Sequence, residues 1–376
     1  MRKIRFGIVG MGNIGASHAR ALLDGRAARA ELGAVCDTDP ARLDAWRGAA
    51  RVFSRLDEML ASDVLDALLV ATPHFGHVEA ATAGLRSGRH VLVEKPIAVH
   101  KADAVRMLAA HTDKSLRFGV MFNQRTNPAF RKIRRLLQAG ELGAPRRVQW
   151  TLTDWFRPDA YYRSSSWRAT WGGEGGGVLV NQSPHQLDLL CWLFGLPGST
   201  RAFCHFGKYH EIEVEDEVTA YLEWPGGATG VFITSTGEAP GTNRLEIACD
   251  RGRVVYENGR LAFTRNETPA PVFCRETDEP FGVPPVWNAD IPVGGAGGQH
   301  AEIMQNFADS ILDGAPLIAP AEEGLQQVEL ANAMLLSTWL GRTVELPLDG
   351  VVFAAELETR IARSAAHRPK NAPATR

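Results

Sequence analysis

Two short stretches hold side chains that can move protons. Lys95 stands between Glu94 and Pro96, and His185 follows Asn181 by four residues. Burial lowers the pKa of a lysine, so that its neutral amine can accept a proton. A histidine titrates near neutrality and can do the same. These residues predict acid–base chemistry on a hydroxyl group; the competing interpretation is a surface lysine before a turn and a histidine that caps a helix or packs in the core.

A third stretch, residues 10–15, reads G-M-G-N-I-G and fits the pattern G-x-G-x-x-G between a predicted strand and a predicted helix. The first glycine permits a tight turn, the second lets the backbone approach a pyrophosphate, and the third allows close helix–strand packing. Phosphates bind at a helix N-terminus because its N–H groups are unpaired. The pattern predicts a dinucleotide site formed by Gly10, Gly12, Asn13, Ile14 and Gly15.

The residue that ends the second predicted strand indicates which dinucleotide binds. Asp37 lies where a carboxylate would accept hydrogen bonds from both ribose hydroxyls. Its charge would repel a 2′-phosphate, so NAD is favoured over NADP. Arg42 is close enough in sequence to reach a phosphate, and it is counted among the cofactor-binding residues; its alternative role is that of a solvated helix residue.

The elements that must position these residues alternate in the first part of the chain. Apolar strands are predicted at residues 3–9, 32–36, 66–70, 90–93 and 116–120, with helical stretches between them. This order predicts right-handed βαβ units and a doubly wound parallel sheet, that is, a Rossmann domain over residues 1–122. Lys95 then lies at the carboxyl end of a parallel strand, where such sheets bind ligands.

The pattern changes in the rest of the chain, where strands follow one another across tight turns. It predicts a C-terminal α+β domain over residues 123–363, with an antiparallel sheet and an embedded helix at 184–194. Residues 269–298 are rich in Pro and Gly and are expected to form a long surface excursion. Residues 364–376 are expected to form a flexible tail.

Composition excludes several classes of protein. The chain has 376 residues, 45% of them hydrophobic, and a formal net charge of −2. A nucleic-acid-binding protein would carry a basic face, and a membrane protein would carry an apolar run of roughly 18–20 residues. The five cysteines are scattered without a C-x-x-C pair, which favours a reducing, cytoplasmic location and no zinc site. The acidic run 211–217 beside His205 and His210 could hold a metal, but its alternation favours a strand with one solvated face.

Taken together, the motifs identify a resemblance to the glucose–fructose oxidoreductase, inositol dehydrogenase and MocA (Gfo/Idh/MocA) family, over nearly the whole chain. The resemblance rests on these segments: the glycine turn with Asp37, residues 71–74 with His77, residues 90–96, residues 123–125, residues 175–185 with Asp188, and residues 192–195. It implies the two-domain fold above, with an open, mainly antiparallel sheet in the C-terminal α+β domain. It also implies an oligomer, a homodimer or homotetramer, formed through that sheet.

The resemblance also implies roles for individual residues. Lys95 would hydrogen-bond the reacting hydroxyl and the nicotinamide ribose, and His185 would accept the proton during oxidation. The residues implied to line the dinucleotide are Thr72, Pro73, His77, Glu94, Lys95 and Asn123. Many members carry an aspartate where this chain has Asn181, and an amide cannot stabilise an imidazolium by charge. Which of Lys95 and His185 is the main base therefore stays open.

A segment rich in aromatic residues and arginine, residues 155–171, precedes the glycine cluster. Flat rings stack on sugar faces and guanidinium groups donate to hydroxyls, so this segment favours a sugar site; alternatively, its aromatics pack in the core or at a subunit contact. The predicted substrate residues are Arg125, Tyr162, Trp167, Arg168, Trp171, Asn181 and His185, with His300 a weaker candidate.

The sequence therefore predicts an NAD-dependent oxidoreductase that moves a hydride between nicotinamide and a secondary hydroxyl of a sugar, glycoside or cyclitol. It predicts a small-molecule partner, no metal, no nucleic acid and no membrane. Three alternatives stay open: an enzyme that retains its cofactor and oxidises a glycoside at the 3-position for a partner lyase, a non-catalytic NAD(P)-sensing regulator, and an imine- or biliverdin-type reductase.

Overall fold

The first sheet forms the predicted Rossmann domain. The computed structural model describes residues 2–367; residues 368–376 of the predicted tail lie outside them. Within that part of the chain the sheet has six parallel strands in the order β3-β2-β1-β4-β5-β6. The strands are β1 (Ile4–Val9), β2 (Ala30–Cys36), β3 (Arg51–Phe53), β4 (Ala67–Val70), β5 (His90–Val93) and β6 (Phe118–Val120).

Helices cover this sheet because its strands are apolar on both faces; all four residues of β4, for example, are buried. The helices of this half are α1 (Asn13–Leu23), α2 (Pro40–Leu43), α3 (Leu56–Ala61), α4 (Gly76–Arg86) and α5 (Lys101–Ala109), with 3₁₀ turns at Asp44–Trp46 and Asn123–Thr126. The strand order reverses between β1 and β4, and the carboxyl ends of these two strands flank the glycine turn.

The second sheet confirms the mainly antiparallel prediction. In the described residues it has nine strands in the order β14-β13-β12-β11-β7-β10-β9-β8-β15, and only β7 and β10 pair in parallel. The strands are β7 (Pro145–Leu152), β8 (Ser199–Phe206), β9 (Glu215–Glu223), β10 (Thr229–Ser235), β11 (Asn243–Cys249), β12 (Gly252–Glu257), β13 (Arg260–Asn266), β14 (Val286–Ile291) and β15 (Val344–Glu345).

The helices of the second half are α6 (Pro128–Gln138), α7 (Asp159–Arg163), α8 (Pro184–Phe194), α9 (Ala270–Glu276), α10 (Gln299–Asp313), α11 (Ala321–Leu340) and α12 (Gly350–His367). Of these helices, α11 packs against β8 and β15 of this sheet. Residues 269–298 are not an irregular excursion: they contain α9, and β14 extends the sheet beside β13. On the other face of the sheet, Phe203 and Tyr221 are exposed.

Helix α10 packs on the first sheet, although it follows the second sheet in sequence. Met304 and Phe307 share a buried cluster with Phe6 of β1, and the rings of Phe6 and Phe307 are 6.0 Å apart. Just beyond α10, the carbonyl of Ala319 accepts the backbone N–H of Val120 at 3.0 Å. The domain boundary at 122/123 stays a prediction, and residues 299–320 contribute to the first core.

The C-terminal helix α12 continues through His367, four residues into the segment predicted as a tail. Among the described residues, no helix combines the length and hydropathy needed to cross a membrane.

Candidate active site

Lys95 lies in the loop directly after β5, on the wall of a large cavity. Its ammonium donates to the backbone carbonyl of Asn181 at 2.7 Å. Burial lowers the pKa of Lys95 below its ordinary value, although the carboxylates of Glu94 and Glu174 oppose the shift. The lysine is therefore held where its neutral form is easier to reach than in water.

His185 is the second residue of α8, which begins with Pro184. Its ring is half-buried, and its Nδ1 has no hydrogen-bond partner. Burial, with a smaller contribution from the charge of Lys95, lowers the pKa of His185 to about 3. The imidazole is thus neutral at pH 7 and able to accept a proton, but the residue is not among those that line the cavity.

The glycine turn has the geometry that the motif predicts. Gly10 has φ +92°, and a Cβ there would lie 2.6 Å from the backbone of Ala71. A Cβ on Gly15 would lie 1.9 Å from the carbonyl oxygen of Gly10, so Gly15 allows helix and turn to pack closely. At Gly12 a Cβ would meet only the tip of Arg42, at 3.9 Å. Space for a ligand is therefore left beside Gly12, at the N-terminus of α1.

Asp37 and Thr72 present further polar groups to the same space. The carboxylate of Asp37 accepts the backbone N–H groups of Met11 at 2.7 Å and Asp39 at 2.9 Å, which fixes its orientation. Arg42 lies 3.7 Å from the same carboxylate. The hydroxyl of Thr72 is buried and has no hydrogen-bond partner within the protein. Such an unpaired group on a cavity wall is expected to bond a ligand.

The cavity, about 1220 Å³ in volume, joins these features. It runs from Asp37 past the glycine turn to Lys95 and on to Asn181. The open space at Gly12, the oriented carboxylate of Asp37 and the unpaired hydroxyl of Thr72 together fit a dinucleotide. The predicted cofactor residues on its wall are Gly10, Gly12, Asn13, Ile14, Asp37, Arg42, Thr72, Pro73, His77, Glu94 and Lys95.

Glu94 lines the cavity and also forms a buried pair that the sequence did not reveal. Its Oε1 lies 2.6 Å from His18 Nε2 of α1, and its Oε2 accepts the backbone N–H of Lys95 at 3.1 Å. Burial is the largest single influence and raises the pKa of Glu94, but the hydrogen bond with His18 and the nearby charges of His18, His300 and Lys95 together lower it to about 2. This pair ties α1 to the loop that carries Lys95.

The far end of the cavity is aromatic and basic. The Tyr161 hydroxyl accepts hydrogen bonds from Arg168 at 2.6 Å and from the side-chain amides of Asn181 at 3.1 Å and Gln182 at 3.2 Å. The guanidinium of Arg168 lies over the ring of Trp167, 4.6 Å from its centre. Trp167, Arg168 and Asn181 are thus where a substrate beside Lys95 would bind.

Besides Gly15 and His185, four predicted site residues do not line this cavity. The side-chain amide of Asn123 donates to Gln299, and its carbonyl oxygen has no partner. Tyr162 bonds Thr236 at 2.8 Å and lines a separate cavity of about 570 Å³. Trp171 is 7% exposed and packs in the core.

Arg125, the fourth, is 2% exposed and forms a two-bond ion pair with Asp188, at 2.6 and 2.8 Å, and a further one with Glu323. The guanidinium and the carboxylate of Asp188 neutralise each other in the interior, so the structure gives this arginine a role in packing and not in the substrate pocket.

The cavity also contains residues that the sequence analysis missed, among them Met11, His74, Tyr161, Ser164 and Ser165; His300, predicted as a weaker candidate, lines it too. Tyr161 and Tyr162 are adjacent aromatic residues, and only the orientation of the short helix α7 decides which one faces the cavity. His74 directly follows Pro73, a predicted cofactor residue, so its position in the sequence could have indicated that it lines the site.

The prediction for the acidic run 211–217 was wrong. The strand begins only at Glu215, and both Glu215 and Asp216 are fully buried. Glu215 accepts the backbone N–H groups of Gly177 and Leu179, and Asp216 accepts that of Tyr209. The carboxylates stabilise loop backbone, which residue alternation cannot show. Among the described residues, no group of three or more His, Cys, Asp or Glu side chains is arranged to hold a metal ion.

The buried His74 makes the stability of the protein depend on pH. Burial lowers its pKa from 6.5 to about 3, so between these values the unfolded chain binds a proton that the folded chain excludes. This contribution to stability is complete above pH 6.5 and is lost as the pH falls toward 3. Glu215, whose pKa burial raises to about 7, acts with the opposite sign.

Between pH 7.5 and pH 5.5, protonation of His74 in the unfolded chain lowers the free energy of unfolding of the wild type. We expect the decrease over this range to be about 1.4 kcal/mol smaller in the His74→Gln variant. Urea titrations at both pH values measure this difference. An equal loss in the two proteins would show that His74 does not stay neutral in the folded state.

Comparison with known proteins agrees with this geometry. Residues 4–122 match an oxidoreductase family with an NAD-binding Rossmann fold, and residues 130–255 match the GFO/IDH/MocA C-terminal domain. The chain is similar to the inositol 2-dehydrogenase of Rhizobium meliloti (strain 1021), with 26% identity over 91% of this chain and 99% of that protein.

Two solved structures are also similar to the chain, each with 31% identity. The WlbA dehydrogenase from Bordetella pertussis, in complex with NADH and UDP-GlcNAcA, gives a TM-score of 0.77 over 93% of this chain and 100% of that one. The corresponding enzyme of Chromobacterium violaceum, with the same ligands, gives 0.80 over 93% and 97%.

Proposed function

Because the chain belongs to the Gfo/Idh/MocA family of NAD-binding oxidoreductases, we propose that it oxidises or forms a secondary hydroxyl of a sugar, glycoside or cyclitol, with Lys95 and His185 handling the proton. The observation that carries the proposal is the position of Lys95. Its ammonium lies between the glycine turn and Asn181, on the wall of the cavity that fits the dinucleotide.

Lys95 binds the reacting hydroxyl in this proposal. Its ammonium already points to the carbonyl of Asn181, and a substrate oxygen would take one of its other two N–H positions. Because burial lowers the pKa of Lys95, its neutral amine is easier to reach and would be available to accept a proton during oxidation.

His185 is a second group that can receive the proton. The imidazole is neutral at pH 7, and its unpaired Nδ1 leaves one ring nitrogen without a competing partner. Because Lys95 lines the cavity and His185 does not, Lys95 would contact the substrate more directly. We infer that Lys95, in its neutral form, is the direct base toward the hydroxyl and that His185 is a second proton acceptor beside it.

The residues around the glycine turn bind and orient the cofactor. Backbone N–H groups at the start of α1 would bind the pyrophosphate, and the Asp37 carboxylate would accept hydrogen bonds from the ribose hydroxyls. The unpaired hydroxyl of Thr72 would donate a hydrogen bond to the cofactor. When bound, NAD supplies the hydride acceptor. Holding the substrate and cofactor in register can lower the barrier by about 7–11 kcal/mol for well-aligned reactants.

The substrate end of the cavity favours a sugar with an anionic group. Arg168 is mostly buried, its Nε has no partner, and the nearest carboxylate oxygen, from Glu174, is 4.0 Å away. A carboxylate or phosphate on the substrate would complete the hydrogen bonding of this guanidinium. The structures of WlbA dehydrogenases bound to UDP-GlcNAcA support this class of ligand.

Absorbance at 340 nm tests the proposal directly. The protein would be assayed with NAD against inositols, neutral hexoses, glycosides, hexuronates and a nucleotide-linked hexuronate. We expect reduction of NAD with at least one sugar or cyclitol, and faster turnover with an acidic sugar. Binding of NADH with no turnover on the whole panel would contradict the proposed activity, and co-purification of bound cofactor would favour an enzyme that retains it.

Asp37 sets the preference for NAD. In the Asp37→Ala variant, the negative charge that would repel a 2′-phosphate is gone while Arg42 remains, so NADP⁺ is expected to bind better and NAD⁺ about tenfold worse. The ratio of kcat/KM values for the two cofactors measures the change. The matched control is Asp57→Ala on the same cavity wall, and an unchanged ratio for Asp37→Ala would contradict the assignment.

The open face of the second sheet is the surface that we propose for the oligomer. Phe203 is 54% and Tyr221 43% exposed, on neighbouring strands β8 and β9. A Phe203→Glu/Tyr221→Glu variant would place charges on this face and is expected to shift the protein toward monomer in sedimentation velocity. An unchanged assembly would place the interface elsewhere. A cytoplasmic location stays a prediction.

A further inference from the structure

Glu174 is a buried carboxylate directly behind the substrate end of the cavity. It is 2% exposed and lies just before Gly175, in the turn that leads to α8. Its Oε2 accepts the backbone N–H of Ala169 at 2.7 Å, and its Oε1 accepts the side-chain amide of Asn181. The backbone carbonyl of the same glutamate accepts a hydrogen bond from the His74 ring at 3.0 Å.

Asn181 connects this carboxylate to Lys95. Its side chain donates to Glu174, while its backbone carbonyl accepts from the ammonium of Lys95. Its side chain also donates to the hydroxyl of Tyr161. Asn181, which is neutral, thus links Glu174, Lys95 and Tyr161. The negative charge in this network comes from Glu174.

A buried carboxylate is expensive unless cations or donors compensate it. The nearest cation to Glu174 is Arg168, at 4.0 Å, and the other basic group that acts on it is Lys95. Since Arg168 is already bonded to Tyr161, it leaves Glu174 only partly compensated. The remaining stabilisation is expected to come from the ammonium form of Lys95.

We propose that Glu174 is a positioning residue that supplies the carboxylate missing at position 181, fixing Asn181 and holding the ammonium form of Lys95. The inference rests on the proposed function for the role of Lys95 in turnover. It accounts for the asparagine, since the negative charge enters the site from a residue seven positions earlier in the chain.

Several ionisable groups surround Lys95 and influence its protonation. The acidic neighbours are Glu94 and Glu174; the basic ones are Arg157 and Arg168; the imidazoles are those of His74, His77, His185 and His300. Glu94 is already paired with His18, and Glu174 is also faced by Glu215. Removing Glu174 therefore takes away the acidic neighbour without a histidine partner.

The pH at which Lys95 becomes reactive tests this inference on the full-length protein. Trace acetylation with acetic anhydride from pH 6 to 11, quantified by mass spectrometry of the peptide containing Lys95, gives its titration midpoint. In Glu174→Gln, loss of the negative charge destabilises the ammonium, so the midpoint is expected to move down by about one pH unit. Asn181→Asp places a second carboxylate against Glu174, and two carboxylates in contact share one proton, so the midpoint is expected to stay near that of the wild type.

The double variant Glu174→Gln/Asn181→Asp returns the carboxylate to position 181 and is expected to restore the wild-type midpoint. Glu211→Gln, an exposed acid outside the network, is the matched control and should leave the midpoint unchanged. If Glu174→Gln fails to fold, the double variant carries the test: a midpoint above that of the wild type would show that Glu174 contributes no charge to Lys95, and would overturn the inference. Equal midpoints in the wild type and Glu174→Gln would overturn it as well.

Turnover provides a second measurement. The rising limb of the kcat profile for oxidation is expected to move with the acetylation midpoint, while NADH affinity, measured by fluorescence, stays within about twofold. Acetylation reports the proton affinity of Lys95 whether or not the enzyme turns over. Failure of the Glu174 inference is thus distinguishable from failure of the proposed function.

Discussion

Replacing Lys95 with alanine is expected to lower kcat by about 10²–10⁴-fold, which is the range that a positioned acid–base group contributes. The side chain lies on the cavity wall and makes its one direct hydrogen bond to the carbonyl of Asn181. Its removal leaves the glycine turn and Asp37 intact. Steady-state rates on the substrate identified at 340 nm, with NADH binding followed by fluorescence, measure both effects.

Lys95→Arg is the more informative partner of this variant. Arginine keeps the positive charge and can still donate to Asn181, but it does not lose a proton at any useful pH. We expect it to be nearly as inactive as alanine, because the reaction needs the neutral form. Lys208→Ala, which changes an exposed lysine that does not line the cavity, is the control. Rates within a few-fold of wild type for Lys95→Ala would remove Lys95 from the mechanism.

Replacing Gly12 with valine is expected to weaken NADH binding by at least about a hundredfold without destabilising the protein. A Cβ at this position meets only the tip of a flexible arginine, so the substitution is tolerated by the protein itself. The added side chain instead fills the space where backbone must approach the pyrophosphate. Fluorescence titration with NADH and the thermal unfolding midpoint provide the two measurements.

Gly15→Ala supplies the contrast. A Cβ there would lie 1.9 Å from a backbone oxygen that cannot move aside easily, so this variant is expected to lose stability first. Equal loss of stability in both variants would mean that Gly12 is a packing position. Normal NADH affinity in Gly12→Val would place the phosphates elsewhere.

Local patterns were enough to predict most of the fold. The apolar strands β1, β4 and β5 and the glycine turn carry their own signals in hydrophobicity and backbone freedom. The same holds for Lys95, whose location follows from the strand before it. Residues 269–298 were harder, because many Pro and Gly residues suggest a loop, whereas pairing with β13 turns part of the segment into strand β14.

The features that sequence reasoning missed depend on distant partners. From the sequence alone, Arg125 is predicted to bind substrate. In the fold it is paired with Asp188 and Glu323, which lie 63 and 198 residues away along the chain. The pair of His18 and Glu94 spans 76 residues. Glu174 gave only a faint signal, as a charged residue directly before three glycines. Pairing between residues so far apart in the sequence produces no local pattern from which it could be predicted.

The packing of α10 on β1 affects how the protein is made in the cell. During synthesis, the strands of the Rossmann sheet leave the ribosome about 180 residues before the helix that covers Phe6. At ordinary elongation rates that is a wait of roughly 10–40 s, during which the part of the nascent sheet that α10 covers, around Phe6, stays exposed. Chaperones that bind such surfaces would therefore meet this chain early, and a fragment that stops before residue 299 would be expected to aggregate.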